Sequence, residues 1–184
     1  MAARLRLLLA SARSRGRVVA RGRPHLGADV RFEVARGARV VLEDGCRIGA
    51  GSRFHVAGGE VRVGAGAVLG DRCVVCAHER VDVGARAVLG DEVVLIDFDH
   101  VVDDVERPVR EQGVVTGAVA IGEGAVLGPA AIVLRGRSVG AGAHVEARAV
   151  VTRDVAPGAA VAGVPAGDDL SPAGAGRRPP AGRR

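Results

Sequence analysis

Aromatic residues are almost missing from this chain: three Phe, no Trp and no Tyr among 184 residues. A layered domain of this length leans on aromatic bulk for its core, so here Val, Leu, Ile and Ala must fill the interior. Lys and Asn are absent, and all 26 basic residues are Arg, which reads as a compositional bias rather than a functional signal. Cysteine is held to three, an odd number that gives no disulfide framework. No stretch approaches the roughly 20 apolar residues of a membrane span. Residues 5–10 are apolar apart from Arg6 but fall short of a signal-peptide core, and Arg13, Arg15 and Arg17 follow at once. A cytoplasmic protein is expected. Gly is plentiful at 28, but without the triplet period of collagen.

The formal net charge of +5 is unevenly placed. Residues 1–23 hold seven Arg and no acid, and four more Arg fall in residues 167–184. The intervening body is mildly acidic. A nucleic-acid binder carries a basic stripe on its folded surface together with a matching motif, and neither is visible. The basic N-terminus suits solvated charge, with a weak peripheral contact to an acidic membrane surface as the alternative.

What is present is a repeat. From about Val30 an aliphatic residue recurs every six positions. One run is Val30, Arg36, Leu42, Ile48 and Phe54, with Arg36 as a lapse. Others are Val63, Leu69 and Val75, then Val83, Leu89 and Leu95. The last runs from Ile121 through Leu127, Val133, Val139 and Val145 to Val151. A small residue follows four positions later, as at Cys46, Ser52, Ala67, Cys73, Ala87, Ala125 and Ala143. Gly often stands directly after the aliphatic residue, where it is expected to supply backbone freedom at a corner. A period of six fits neither a helix nor a two-faced strand. It fits short flat strands joined by tight corners and stacked coil on coil. Two short breaks, before Val63 and before Val83, read as corner insertions. A long one follows Leu95, and the period returns near Val119. An insertion of that length must project from a solenoid, and such loops commonly carry function.

The hexads resemble those of the hexapeptide-repeat acyltransferases over residues 30–166. So do Asp97-Phe98-Asp99-His100 before the projecting loop, Ala77-His78-Glu79-Arg80 upstream, Val151-Thr152-Arg153-Asp154-Val155 downstream, and the closing Gly163-Val164-Pro165-Ala166. These motifs are most like those of sugar O-acetyltransferases. The resemblance implies an all-β fold, a left-handed parallel β-helix with a projecting loop near residues 97–118. It also implies acetyl-CoA as acyl donor, a saccharide acceptor, and a homotrimer with active sites between subunits. His100 matches the family's general base, and histidine has the pKa for that work. Asp97 and Asp99 are both candidates to orient it. Gly117 and Ala118 are small enough to let backbone N–H groups approach an oxyanion and the donor. His78 is a candidate substrate contact. This chain departs from the family at Arg135, where many members have Pro, and at Gly167-Asp168, where many have a basic residue. Arg135 and Arg153 are the candidates to meet the donor's phosphates instead. Arg137 falls in an inward slot, an unusual place for a charge.

Other readings remain open at this level. A zinc hydratase on the same fold needs three converging imidazoles, and only His78 and His100 are placed to meet. No metal is expected. Cys73 and Cys76 have C-x-x-C spacing without a second pair, and Cys46 and Cys73 fill small inward slots, so they read as core residues. Asp103, Asp104 and Glu106 read as a solvated loop paired in part with Arg107 and Arg110. A non-catalytic scaffold is the alternative of another class. Three segments are expected: a basic N-terminal segment over 1–23, with Leu5, Leu8 and Leu9 on one face of a short capping helix; the β-helix over 24–166; and a disordered Pro/Gly/Arg-rich tail over 167–184.

Overall fold

The computed structural model describes residues 14–167. The helical cap expected from Leu5, Leu8 and Leu9 lies outside them, as does nearly all of the expected tail. The chain forms a parallel β-helix of about six turns. The first coil holds β1 (Val18–Ala20), β2 (His25–Leu26) and β3 (Arg31–Val34). The second holds β4 (Arg39–Leu42), β5 (Arg47–Ile48) and β6 (Arg53–Val56). The third holds β7 (Glu60–Val63), β8 (Val68–Leu69) and β9 (Val74–Ala77). The fourth holds β10 (Arg80–Val83), β11 (Val88–Leu89) and β12 (Val94–Ile96). A hairpin of β13 (Phe98–His100) and β14 (Val114–Thr116) then leaves the stack, with the one-turn α1 (Val109–Gln112) between its strands. The helix resumes with β15 (Val119–Ile121), β16 (Val126–Leu127) and β17 (Ile132–Val133), then β18 (Ser138–Val139), β19 (His144–Val145) and β20 (Val150–Val151), and ends at β21 (Ala160–Val161). Three parallel sheets form its sides.

The six-residue period is the cause of this shape. Leu26, Ile48, Leu69, Leu89, Leu127, Val145 and Val161 stand in one register across the second sheet. Each is at most 2% exposed. Leu42, Val63, Val83, Ile121 and Val139 make the matching ladder on the first sheet. Each buried Val or Leu contributes about 1.5–3 kcal/mol, so the ladders hold the stack together without aromatic bulk. At the edge of the core Phe32 stacks on buried Phe54, 4.8 Å between centroids.

Two expectations shift. The early phase runs through Leu26 and Phe32, not through Val30 and Arg36: Phe32 is in register with Phe54, and Leu26 with Ile48. Arg36 lies in the turn between β3 and β4, which is longer than a plain hexad allows. The solenoid also begins earlier than residue 24, because Val18–Ala20 pairs with Val40–Leu42 inside the expected basic segment. The short breaks are corner insertions as expected, at residues 57–59 and 78–79.

The glycines that follow the aliphatic residues serve a different purpose from the one expected. Gly49 has an ordinary φ, but a Cβ there would stand 2.2 Å from the carbonyl oxygen of Gly70 in the next coil. Close approach of backbones, not conformational freedom, excludes a side chain. The left-handed corner position comes three residues after the aliphatic one, and it accepts Gly51 in one coil but Arg72 and Glu92 in the next two.

The cysteines are free thiols. Cys46 and Cys73 point into the stack, and burial pushes them up to about 12 and about 11. Cys76 alternates to the outer face of β9 and is half-buried, with its thiol also raised by burial first and by Asp97 second. Thiolate is the reactive form. At pH 8, native protein should therefore react with a disulfide reagent at no more than one thiol, Cys76, and denatured protein at all three. Rapid reaction of two or more in the native state would contradict this burial.

Candidate active site

All the singled-out residues stand along one corner of the stack, where the third strand of each coil turns into the first strand of the next. In ascending order the turns are residues 35–38, 57–59, 78–79, the insertion 97–118, then 134–137 and 152–154. His78, the root of the hairpin, Arg135 and Arg153 therefore succeed one another on adjacent coils. Parallel stacking does this: residues some twenty apart in sequence come within one strand spacing, about 4.8 Å.

The hairpin sets His100 opposite Val114 and Phe98 opposite Thr116. Strand alternation puts Phe98 and His100 on one face and Asp99 on the other. The rings confirm it. Phe98 packs on His78 at 4.2 Å between centroids and meets His100 edge-to-face at 5.7 Å. His78, Phe98 and His100 thus form a continuous row. His100 is exposed, and among the described residues its ring has no carboxylate partner.

Neither aspartate orients His100. Asp97 is fully buried, and its carboxylate accepts three backbone N–H groups: His78 at 2.8 Å, Glu79 at 2.8 Å and Arg80 at 2.7 Å. Its Oδ atoms are occupied by the coil below, away from the hairpin tip. Asp99 turns the other way and accepts Arg135 Nε at 3.0 Å. Both side chains of that pair are more than a third exposed, so it contributes at most about 1 kcal/mol.

Gly117 and Ala118 part company. The Gly117 N–H donates to the Asp97 carbonyl at 2.8 Å and closes the neck of the hairpin, so it is not an available oxyanion donor. Ala118 is exposed, and its N–H makes no hydrogen bond within the described residues. Arg153 lies over the final turn, with Nη2 at 3.5 Å from the Ala166 carbonyl. Arg137 takes the rung below which Val119, Val81, Val61 and Val40 are buried. It is only half-buried, and its Nε reaches the Arg135 carbonyl at 3.3 Å. The guanidinium bends out along the corner instead of entering the stack.

The projecting loop is organised by Gln112. Its Oε1 accepts the Asp104 N–H at 3.0 Å, and its Nε2 donates to the carbonyls of Asp104 and Arg107 at 2.7 and 2.8 Å. Arg107 and Arg110 both engage Glu111 rather than the expected acids. Among the described residues no group of three or more His, Cys, Asp or Glu side chains is placed to hold a metal. Sequence reasoning did not single out Phe98. Its signal was its place two residues before His100 on a strand, which puts both rings on one face.

Comparison with known proteins adds to this geometry. No family model matches the chain. A probable acetyltransferase of Mycobacterium tuberculosis is 28% identical over 150 residues, which are 81% of this chain and 50% of the relative. The chain thus spans about half the length of the curated relative it matches. Among solved structures, a hexapeptide-repeat acetyltransferase of Vibrio cholerae, in complex with acetyl-CoA, superposes with a TM-score of 0.59 at 21% identity, covering 69% of this chain and 70% of that one. An N-acyltransferase of Bacillus cereus, in complex with dTDP and CoA, gives 0.60 at 16% identity over 81% and 80%. A maltose O-acetyltransferase of Clostridium difficile gives 0.54 at 19% identity over 83% and 68%. In sequence and in fold together, this chain resembles the hexapeptide-repeat acyltransferases and is built as their β-solenoid.

Proposed function

We propose that the protein is an acyltransferase that moves an acetyl group from acetyl-CoA to a hydroxyl of a sugar or sugar-containing acceptor, in the cytoplasm and as a homotrimer. The observation that carries this reading is the exposed imidazole of His100, held on a projecting hairpin between His78 one coil below and Arg135 and Arg153 above. His100 takes the acceptor's hydroxyl proton as that oxygen bonds to the thioester carbonyl carbon. The Ala118 N–H faces the oxyanion that develops. When the C–S bond breaks, the leaving sulfur takes the proton back from His100. Phe98, rather than a carboxylate, fixes the ring. Arg135 and Arg153 meet the donor's phosphates, and His78 contacts the acceptor.

The trimer has its own physical support. On the outer face of the third sheet Val74, Val94, Ile132 and Val150 stand in one register. An apolar row on the outside of a solenoid suits burial against a second copy. That copy would supply the wall that a single chain leaves missing beside His100.

The test is a thiol-release assay with acetyl-CoA across a panel of sugars, paired with calorimetry of acetyl-CoA binding. Acceptor-dependent release of CoA is the expected result. A protein that does not bind acetyl-CoA at all would be a scaffold on the same fold, and the proposal would fall.

A further inference from the structure

We propose that a cleft at the N-terminal end of the same corner is a second acceptor subsite, which takes an anionic group of an extended saccharide. Its role in catalysis rests on the transferase reading above; its ability to bind does not. The cleft has a volume of about 530 Å³ and is lined by Arg17, Phe32, Glu33, Val34, His55 and Ala57, among others. It is a shallow, open depression rather than an enclosed pocket, which suits a sugar lying across the surface.

The decisive group is Arg17. Among the described residues its buried Nε–H has no hydrogen-bond partner, and Arg17 makes no ion pair. A buried donor left unpaired is costly and calls for an explanation. The nearest acid in the cleft does not provide one, since Glu33 is engaged by His55 Nδ1 at 2.9 Å. An acceptor from outside the chain would satisfy that donor once the side chain turns into the cleft. A guanidinium selects carboxylates and phosphates, often through two parallel bonds. Phe32 adds an apolar wall suited to the C–H face of a sugar ring.

Position links the cleft to the catalytic corner. Ala57 at its rim donates its N–H to Ala77, directly before His78. With coils about 4.8 Å apart, Arg17 lies three coils, roughly 14 Å, below the His78 turn. The two arginines assigned to the donor stand on the opposite side of the hairpin. An acceptor acylated beside His100 can therefore continue downward past His78, and a short oligosaccharide reaches Arg17.

The chain's five histidines make the test direct. Imidazole carbon–proton NMR signals of the full chain are followed during titration with D-glucuronate, and separately with methyl glucoside. Glucuronate should move the His55 signals. The response should weaken at least tenfold in Arg17→Gln, survive in part in Arg17→Lys, and be at least tenfold weaker for the neutral sugar. Unchanged His25 and His144 signals in the variants report an intact fold. A His55 that ignores glucuronate overturns the proposal, as does an equal response in Arg17→Gln or to methyl glucoside. In the transfer assay, Arg17→Gln should raise KM for an anionic oligosaccharide and leave kcat unchanged. If no acceptor is acylated while the His55 response persists, the transferase reading fails and the binding site stands.

Discussion

If His100 is the proposed base, His100→Ala should lower acetyl transfer from acetyl-CoA by about a thousandfold, within the range of 10²–10⁴ that general-base catalysis supplies, and leave stability unchanged. The two halves of that result follow from one observation. The imidazole is exposed, and its one ring contact among the described residues is with Phe98, so its removal should leave no cavity and no unpaired buried group. The loss therefore appears in kcat, with thermal unfolding and solution mass as in the parent protein. A purified His100→Ala protein that retains a tenth or more of the activity would remove the base from the mechanism. His78 would then be the only other imidazole on this corner in a position to replace it.

Asp97→Ala does the opposite, and its first effect is on the fold. The carboxylate is fully buried and accepts the N–H groups of three consecutive residues, 78–80. Its carbonyl receives the N–H of Gly117 at the neck of the hairpin. Truncation to a methyl leaves three donors without partners beneath a covering loop. Each buried unsatisfied group costs about 1–3 kcal/mol, and some water entry softens the sum, so a loss of about 3–5 kcal/mol is expected in denaturant unfolding. Asp97→Asn should fall between, because one amide oxygen can replace only part of the carboxylate. A change below about 1 kcal/mol in Asp97→Ala would show that the three bonds are not maintained in solution. The contrast would separate the two residues: the proposed base should lose activity without stability, and Asp97 should lose stability first.

Much of the architecture was legible as a pattern. Leu42 to Phe54 and Ile121 to Val151 showed the period of six, and the missing aromatics required the ladder of Val and Leu that the register confirms. The early phase was not legible, because Val30 mimics the period while the long turn after β3 resets it. The use of glycine was misread for a related reason. A sequence shows that Gly49 is small, but not that another backbone passes 2.2 Å from where its Cβ would be. At the corner, the motif located His100, His78 and Arg135 in the chain. Which aspartate faces which ring depended on strand alternation and on the path of the neck, and the sequence carries neither.

The sequence by itself determined a coiled stack of short strands with one projecting arm, because a six-residue alternation of large and small apolar positions can bury its rows only by coiling on itself; its three sides were implied by the family resemblance. Tertiary structure alone decided the partners. It turned Asp97 inward to the coil below, paired Asp99 with Arg135, set Phe98 between two imidazoles, and left the Arg17 Nε–H without an acceptor among the described residues. Those outcomes depend on stacking that brings residues about twenty positions apart within a strand spacing, and on side-chain directions fixed only once that stack has formed.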